Sequence, residues 1–352
     1  MMDTKLKHIP MPVRYGINTI LIAALCALIL GLSAGGILSG YYINVLMVVG
    51  INIILSVSLN VATGYLGQLP LGHAGFMAVG AYAGGIFMKV TPLATLLKEG
   101  DTWGALPYIL AAILISGIVA GIFGIIIGIP ALRLRGDYLA IITLGFGEII
   151  RVILNNIDSV LGFKFTYGAS GLKRIPKIST LGVVLACVIL TCLVIHMVMK
   201  SRHGRAILSI RENEIAAESC GIKTTYYKVM AFTLSAFFAG VAGCLYAGYL
   251  GSLYPNTFGF MKSIEILVMV VLGGMGSMLG SILSATVLTI LPELLRAVSD
   301  YRMVAYSLVL ILVMIFKPTG LLGTYDFSMS RILEKFWTWL SKSIARKGVQ
   351  AK

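Results

Sequence analysis

The amino-acid sequence predicts an all-α integral membrane protein with about ten transmembrane helices. Of its 352 residues, 58% are hydrophobic and only 12% are charged, and the mean hydropathy is +0.94. A soluble domain has about 45–50% apolar and about 25% charged residues. A soluble core of this length cannot bury such an excess, so lipid must be the main solvent. The 40 glycines, often at four-residue spacing, agree with this, because small residues let helices approach closely in a bilayer.

Apolar stretches along the chain approach the length that a membrane span requires. A hydrocarbon core about 30 Å thick is crossed by about 20 helical residues. On this measure the predicted spans are 15–38, 41–62, 72–90, 106–129, 138–156, 181–200, 228–250, 263–280, 282–297 and 302–316. The first stretch is too long for the apolar core of a signal peptide, so we interpret it as a retained span. The chain is therefore divided into an N-terminal segment (1–14), a membrane domain (15–323) and a basic C-terminal tail (324–352).

Positive charge is concentrated in a few polar segments, and the net charge is +14. With a cytoplasmic N-terminus, Lys and Arg cluster in the predicted inner segments, and an even number of spans leaves both termini in the cytoplasm. One loop, 157–180, fits poorly. It is predicted outside, yet it contains Lys164, Lys173, Arg174 and Lys177. Long basic stripes interleaved with aromatic residues do not occur, so nucleic acid is not an expected partner.

The sequence lacks the motifs of common enzymes and metal sites. The five cysteines are scattered without a C-x-x-C pair, and no second ligand lies at metal-binding spacing from His73. H-E-x-x-H does not occur, and the match to G-x-S-x-G at Gly31–Gly35 lies within the predicted span 15–38 rather than at the strand-to-helix turn of a nucleophile elbow. A G-x-x-x-x-G-K-[ST] phosphate-binding loop is also absent, so the chain is not expected to hydrolyse ATP itself. We predict no catalytic residue, no metal and no cofactor.

Glycine interrupts two apolar segments, one in each half of the chain. The breaks are formed by Gly64 and Gly67 in the first segment and by Gly273, Gly274 and Gly276 in the second. Paired broken helices mark the binding region of many transporters, because freed backbone groups must face protein or water rather than lipid. We therefore predict that these glycines line or gate a transport path, and that the two halves form an inverted repeat.

Three ionisable residues lie within or at the mouth of predicted spans. Glu148 and Arg151 are three residues apart in the fifth span, so they share a helix face. An isolated charge at membrane depth costs about 2.5–3.5 kcal/mol on insertion scales, which favours a pair that faces the bundle interior. The pair either lines or gates the path, or it only fixes the helix register, and we favour the structural role. His73 either contacts substrate or is satisfied by the backbone.

The longest charged loop between spans, 201–225, has the pattern of a short helix. On a helical wheel its small residues fall on one side and its charged residues on the other. The small side consists of Ser209, Ala216, Ala217 and Cys220, and the charged side of Arg211, Glu214 and Glu218. Gly221 is placed to end the helix. Such a helix is suited to docking into a groove of another protein, although a solvated helix between two spans gives the same pattern.

The end of this loop resembles the cytoplasmic coupling loop of ABC-importer permeases. The signature of that loop is two alanines and, after three residues, a glycine, which here is Ala216-Ala217-x-x-x-Gly221. The usual glutamate before the alanines is displaced to Glu214, with Ile215 in its place. That departure is found in the high-affinity branched-chain amino-acid permeases of the LivM type. The likeness covers most of residues 55–323, and its closest parts are 59–85, 132–156 and 271–281.

The resemblance implies a translocation subunit of an importer for branched-chain amino acids in the bacterial cytoplasmic (inner) membrane. It also implies the partners, which are a second related permease subunit, two ATP-binding subunits, an extracytoplasmic substrate-binding protein and membrane lipid. The subunit would work by alternating access, driven by the separate ATPase subunits. The residues expected in the ATPase-coupling loop are Gly204, Arg205, Arg211, Glu214, Ala216, Ala217 and Gly221.

Two other transport functions stay open. Urea and short-amide permeases share the same motifs, so the substrate follows from the resemblance alone. A secondary transporter would also show broken helices in two halves. It would need no docking helix, and it would usually carry a coupling carboxylate at mid-membrane. Glu148 is the single candidate for that carboxylate, and Arg151 is expected to occupy it.

Overall fold

The computed structural model describes residues 39–99, 102–134, 136–161 and 166–295, with a few single positions beyond them. The described helices are α1 (Gly40–Asn60), α2 (His73–Val90), α3 (Leu93–Glu99), α4 (Thr102–Ala131), α5 (Asp137–Leu161), α6 (Leu181–Lys200), α7 (Arg202–Glu212), α8 (Glu214–Ser219), α9 (Thr224–Leu250), α10 (Phe260–Gly273) and α11 (Met278–Leu294). Two short strands, β1 (Leu172–Lys173) and β2 (Ser252–Leu253), pair antiparallel. A π-helical turn, Val61–Tyr65, extends α1.

The prediction of an all-α membrane protein is confirmed, whereas the ten spans and the inverted repeat stay predictions. Among the described residues, 6 helical segments are long and apolar enough to cross a membrane. They are Gly40–Tyr65, Trp103–Ala131, Tyr138–Asp158, Leu181–Lys200, Thr224–Leu250 and Pro255–Gly273. The predicted spans 15–38 and 302–316 lie for the most part outside the described residues, as do the terminal segments 1–14 and 324–352.

Helix α9 is the central element of the described bundle, where it packs against α2 and α4. Its 27 residues correspond to a length of about 40 Å. It begins just after α8 and ends at β2, so these two features lie at opposite ends of the bundle. We call them the loop end (residues 202–221) and the hairpin end (residues 172–173 and 252–253).

Close packing of α2, α4 and α9 depends on glycine. A Cβ atom at Gly80 would lie 2.2 Å from Cα of Gly240 in α9. A Cβ atom at Gly84 would lie 2.3 Å from Oγ of Ser116 in α4. Real Cβ atoms do not approach other atoms this closely, so the backbones meet only where a side chain is missing. The four-residue glycine spacing in α2 therefore serves helix packing.

Exposed aliphatic side chains cover the outside of α4, α5 and α6. They include Leu114, Ile118, Ile149, Ile153, Leu190 and Leu193. Exposed apolar surface of this extent is not stable in water, so lipid or another apolar protein must cover it.

The boundary between α10 and α11 differs from the prediction, which placed spans at 263–280 and 282–297. Helix α10 already ends at Gly273, and α11 follows after a turn. In this turn Gly274 has φ +106° and Gly276 has φ +90°, a region that residues with a side chain rarely adopt. The glycines end the helix by their backbone conformation, which hydropathy does not register.

Candidate functional site

The two glycine-interrupted segments touch each other at the loop end. A Cβ atom at Gly64, in the π-helical turn, would lie 2.1 Å from the backbone N of Gly276. Gly320 approaches the same turn from a third segment. A Cβ atom there would lie 2.4 Å from Cα of Gly274 and 3.0 Å from the carbonyl carbon of Gly273. The breaks, far apart in sequence, thus form one contact lined by glycine.

A buried asparagine holds this contact together. Asn60 is 0% exposed. Its Oδ1 accepts a hydrogen bond from the N–H of Gly276 at 2.9 Å, and its Nδ2 donates to the carbonyl of Ser277 at 3.1 Å. Asn60 therefore satisfies backbone groups in the turn between α10 and α11, where the regular helical pattern is interrupted. Sequence reasoning missed this residue.

Asn60 is the last member of a polar stripe on α1. Asn52, Ser56 and Asn60 follow each other at four-residue spacing, which places them on one helix face. Nδ2 of Asn52 donates to Oγ1 of Thr289 at 2.9 Å, and Oγ of Ser56 donates to the carbonyl of Ser281 at 3.0 Å. Polar side chains at this spacing in an apolar span are typical of hydrogen bonds between membrane helices. That spacing is the signal by which the contact between α1 and α11 can be found.

Arg211 reaches the glycine contact from the last turn of α7. Its Nη1 donates to the carbonyl of Gly64 at 2.6 Å, and a Cβ atom at Gly276 would lie 2.8 Å from the same nitrogen. Gly67, at φ +78°, passes beside the side chain, with 3.0 Å between an added Cβ atom and Cγ of Arg211. The structure therefore brings a residue of the predicted coupling loop together with glycines of the predicted path.

The loop 201–225 forms two short helices rather than one. Asn213 has an extended backbone at φ −158°, and its Oδ1 caps α8 by accepting from the N–H of Ala216 at 3.0 Å. Asparagine favours such positions because its side chain competes with the helix for backbone N–H groups. The wheel drawn across this break is therefore wrong. Of its small residues Ala217 is buried, whereas Ala216 and Cys220 are exposed.

Glycine shapes both ends of the two-helix segment. Gly221 has φ +80°, and the N–H of Ile222 donates to the carbonyl of Ala217 at 3.1 Å, as in a Schellman ending. The prediction that Gly221 ends the helix is confirmed. Gly204 permits the turn from α6 into α7, because a Cβ atom there would lie 2.2 Å from the carbonyl oxygen of Met199.

Helix α8 is tied to the central helix by an ion pair. Nζ of Lys228, near the start of α9, lies 2.7 Å from Oε1 of Glu214, with the two side chains 5% and 30% exposed. The lysine is thus nearly buried and the glutamate is not. A buried ammonium needs its partner more than a half-exposed carboxylate does. Lys228 was not among the predicted site residues, because its burial depends on how α8 folds back over α9.

The exposed side of α8 contains a small apolar patch beside the polar residues Glu218 and Ser219. Ile215 is 70% exposed, and Ala216 beside it is exposed as well. Arg205, one helix earlier, is also exposed, and its Nη1 contacts the carbonyl of Lys200 at 3.4 Å. An exposed isoleucine next to alanine on a segment fixed by caps and an ion pair is a surface that another protein can cover.

The predicted pairing of Glu148 and Arg151 is confirmed, with Nε 2.7 Å from Oε2 and side chains 33% and 30% exposed. Oε1 of Glu148 also accepts from the N–H of Phe260 at 3.1 Å, and Nη1 of Arg151 donates to Oδ1 of Asn256 at 2.9 Å. The pair therefore fastens α5 to the first turn of α10. A narrow cavity beside Glu148 is lined by Leu71, Gly75, Gly147, Phe258 and Ser263.

His73 is buried at the first turn of α2. Its Nε2 lies 3.0 Å from Oγ of Ser58 in α1, and the N–H of the next residue, Ala74, donates to Oγ of Ser263 at 3.1 Å. The hydroxyl of Ser58 and the backbone of Leu55 both hydrogen-bond the imidazole, so the interpretation that the backbone satisfies His73 is supported. This arrangement joins α1, α2 and α10, and a role for His73 in the path stays a prediction.

Comparisons with known proteins agree with this architecture. A family model described as "Branched-chain amino acid transport system / permease component" matches residues 41–317. The chain is 37% identical over 306 residues to the high-affinity branched-chain amino acid transport system permease protein LivM of Salmonella typhimurium, covering 77% of this chain and 68% of that protein. LivM of Escherichia coli gives the same identity and coverage. The permease protein LivH of Escherichia coli is 35% identical over 125 residues, covering 35% of this chain and 40% of LivH.

The matched region includes both glycine breaks, Asn60, the two-helix loop segment and the central helix α9. The relatives are transport permeases and not enzymes. Apolar helices of spanning length fit a multi-pass protein of the inner membrane. The chain therefore belongs to the family of permease components of branched-chain amino acid transport systems.

Proposed function

We propose that this chain is the translocation subunit of an ATP-driven importer that moves branched-chain amino acids across the bacterial cytoplasmic membrane. Membership of the permease family supports the transport role. The proposed coupling to ATP is inferred from the contacts at the loop end. There the exposed surface of Ile215 and Ala216 lies on the same short segment as Arg211, which contacts both glycine breaks.

The proposed complex contains a second related permease subunit, two ATP-binding subunits and an extracytoplasmic substrate-binding protein. Similarity to both LivM and LivH supports the pairing of two related permeases. The ATP-binding subunits cover α8, so the loop end faces the cytoplasm and the hairpin end faces outside. Both termini then lie in the cytoplasm, with ten spans arranged in two inversely related halves.

The described residues 166–180 of the basic loop 157–180 are folded onto the bundle, which fits this orientation. Leu172 of β1 is buried and lies opposite Leu253 of β2. The exposed cations of this anchored surface are Lys173, Arg174 and Lys177. We assign them to the docking of the external binding protein, since an exposed positive surface attracts an acidic partner over a distance of about one Debye length.

Alternating access is proposed to work by tilting of helices around the glycine breaks. Turns that interrupt the helical hydrogen-bond ladder bend more easily than a continuous helix, and Gly274 and Gly276 supply two such points in succession. A path for Leu, Ile or Val requires an apolar lining. High affinity belongs in the binding protein, because a tight site in the path would slow release.

An ion-coupled carrier is disfavoured by the contacts of Glu148. Coupling to a cation requires a carboxylate that binds and releases that cation. Both oxygens of Glu148 are occupied, one by Arg151 and the other by the N–H of Phe260. The alternative substrate is urea or a short amide, imported by the same ATP-driven mechanism.

Site-directed crosslinking tests the docking assignment. A photoactivatable crosslinker is attached at Ala216→Cys in the complex purified with its partners, in a background without the native cysteines, because Cys220 is itself exposed. The control is Ala169→Cys, the same substitution at an exposed position of the hairpin end. We expect the first variant to crosslink to an ATP-binding subunit and the second to an external protein or to none. A crosslink from Ala169→Cys to the ATP-binding subunit would contradict the orientation.

Transport in vesicles tests the driving force and the substrate. We expect uptake of labelled leucine to require the binding protein and internal ATP, and to be competed by isoleucine and valine. Competition by urea or acetamide, but not by valine, would show that the importer carries urea or a short amide instead of branched-chain amino acids. Uptake driven by an ion gradient without ATP would reject the ATP-driven importer.

A further inference from the structure

The side chain of Arg211 joins three segments that are distant in sequence. Its Nη1 bonds the carbonyl of Gly64, 147 residues away, at 2.6 Å. The same nitrogen covers Gly276 in the turn between α10 and α11, and Cγ lies against Gly67. The loop end is therefore connected to both breaks through one guanidinium.

The π-helical turn provides a suitable acceptor for a cation. The N–H of Leu66 donates to the carbonyl of Val61 at 3.2 Å, and the N–H of Gln68 donates to that of Ala62 at 3.0 Å. The chain leaves the helix after these bonds, so the last carbonyls lie at the negative end of the helix dipole. A guanidinium placed there makes a charge-assisted hydrogen bond, which is about twice as strong as a neutral one.

The position of Arg211 makes this bond sensitive to movement of the docking segment. Arg211 precedes by two residues the extended Asn213, at which α7 gives way to α8. A hydrogen bond of 2.6 Å passes out of the usual distance range after a shift of about 0.6 Å. Gly64 and Gly276 have no side chains of their own that would follow the guanidinium, and Asn60 joins the two segments independently of Arg211. A displacement of α7 by about 1 Å therefore releases the guanidinium from both breaks.

From this geometry we propose that Arg211 is a latch that keeps the loop end of the transport path closed until the docking segment moves. The inference rests on the proposed function, since the movement is attributed to the ATP-binding subunit on α8. In the closed state the guanidinium holds the carbonyl of Gly64 against the turn at Gly276. When α7 shifts, the bond to Gly64 is lost, and the two breaks are then joined by Asn60 without the guanidinium, which allows them to separate. Arg211 thus acts as a positioning residue that makes opening depend on the ATPase.

The first test compares Arg211→Ala with Arg202→Ala in the complete complex. Both variants remove an exposed arginine from α7, but Arg202 lies at the opposite end of that helix from the latch. For Arg211→Ala we expect normal copurification of the ATP-binding subunits and continued ATP hydrolysis. Uptake should fall about tenfold, within the range of coupling between linked sites. Arg202→Ala should keep both activities.

The second test reports directly on closure. Thr63, in the π-helical turn, is buried, and we replace it by cysteine in a background without the native cysteines. In inside-out vesicles without nucleotide, the latch predicts slow labelling of Thr63→Cys by an impermeant maleimide. Adding Arg211→Ala should raise the labelling rate about tenfold, and Arg211→Lys, which keeps a cation, should restore slow labelling in part.

Three outcomes would overturn the latch. Equal labelling of Thr63→Cys with and without Arg211→Ala would show that the guanidinium does not hold the end closed. Loss of the ATP-binding subunits from Arg211→Ala would make Arg211 a docking contact instead. If Arg211→Ala does not assemble, Arg211→Gln takes its place in both tests. Normal uptake and slow labelling of Thr63→Cys in Arg211→Gln would then overturn the latch. Failure of the proposed function is distinct, because the unsubstituted complex would then contain no ATP-binding subunit.

Discussion

Oδ1 of Asn60 accepts a hydrogen bond from the backbone N–H of Gly276 at 2.9 Å, although 216 residues separate them in the chain. This bond joins the end of α1 to the turn between α10 and α11. Together with the bond from Nδ2 to the carbonyl of Ser277, it makes two interrupted helices into one structural unit. The stability of that unit is open to direct measurement.

Replacing Asn60 by alanine should destabilise the protein. The N–H of Gly276 would lose its acceptor inside the bundle, which typically costs about 1–3 kcal/mol. We expect a lower thermal midpoint of the detergent-solubilised complex. The control is Asn156→Ala, since that exposed amide bonds the carbonyl of Val152 in its own helix. Equal midpoints for the two variants would contradict the bridging role of Asn60.

Alanine at Gly64 should disrupt the contact between the breaks. Its Cβ atom would lie 1.9 Å from Oδ1 of Asn60 and 2.1 Å from N of Gly276, so the two segments must move apart. We expect loss of leucine uptake and a lower yield of assembled complex. Gly145→Ala is the matched control, because nothing lies within 4 Å of its added Cβ atom. That helical position should accept alanine with a gain of up to about 1 kcal/mol.

The ion pair between Glu214 and Lys228 should respond asymmetrically to substitution. Glu214→Gln leaves an ammonium that is 5% exposed without its counter-charge, whereas Lys228→Met leaves a carboxylate that is 30% exposed. We therefore expect Glu214→Gln to be the more destabilising change, by about 1–3 kcal/mol after allowance for partial exposure. The double variant should recover part of this loss. Thermal midpoints of the three variants measure the difference, and a larger loss for Lys228→Met would refute it.

Charge reversal at the hairpin end should weaken docking of the external binding protein. Lys173→Glu combined with Lys177→Glu changes an exposed surface without touching the buried Leu172. We expect an increase of about tenfold in the concentration of binding protein needed for half-maximal uptake, and a weaker dependence on salt. Maximal uptake at saturation should be unchanged. Arg202→Glu, at the loop end, should leave that concentration as it is. If the double lysine variant and Arg202→Glu gave the same titration curve, Lys173 and Lys177 would not belong to a docking surface.

The candidate site was predicted from sequence only in pieces. Glycine breaks are visible locally, because Gly274 and Gly276 are needed wherever the backbone takes positive φ. Gly221 was recognised as a helix end for the same reason. Asn213, however, is not found from the sequence, because the helical wheel treats residues 201–225 as one continuous helix and hides the cap within it. Asn60 was overlooked because a polar residue in an apolar span gains meaning only through its spacing from Ser56 and Asn52.

Helical structure and a membrane location can be predicted from the sequence alone, because hydropathy and glycine conformation are properties of short segments. Its motifs also indicated the permease family. The contact between Gly64 and Gly276, and the position of Arg211 over both, are seen only in the folded chain. The physical reason is that these contacts rely on hydrogen bonds and close backbone approach between segments far apart in the chain. Their partners are chosen by the packing of α1, α7 and α11 and not by any local pattern.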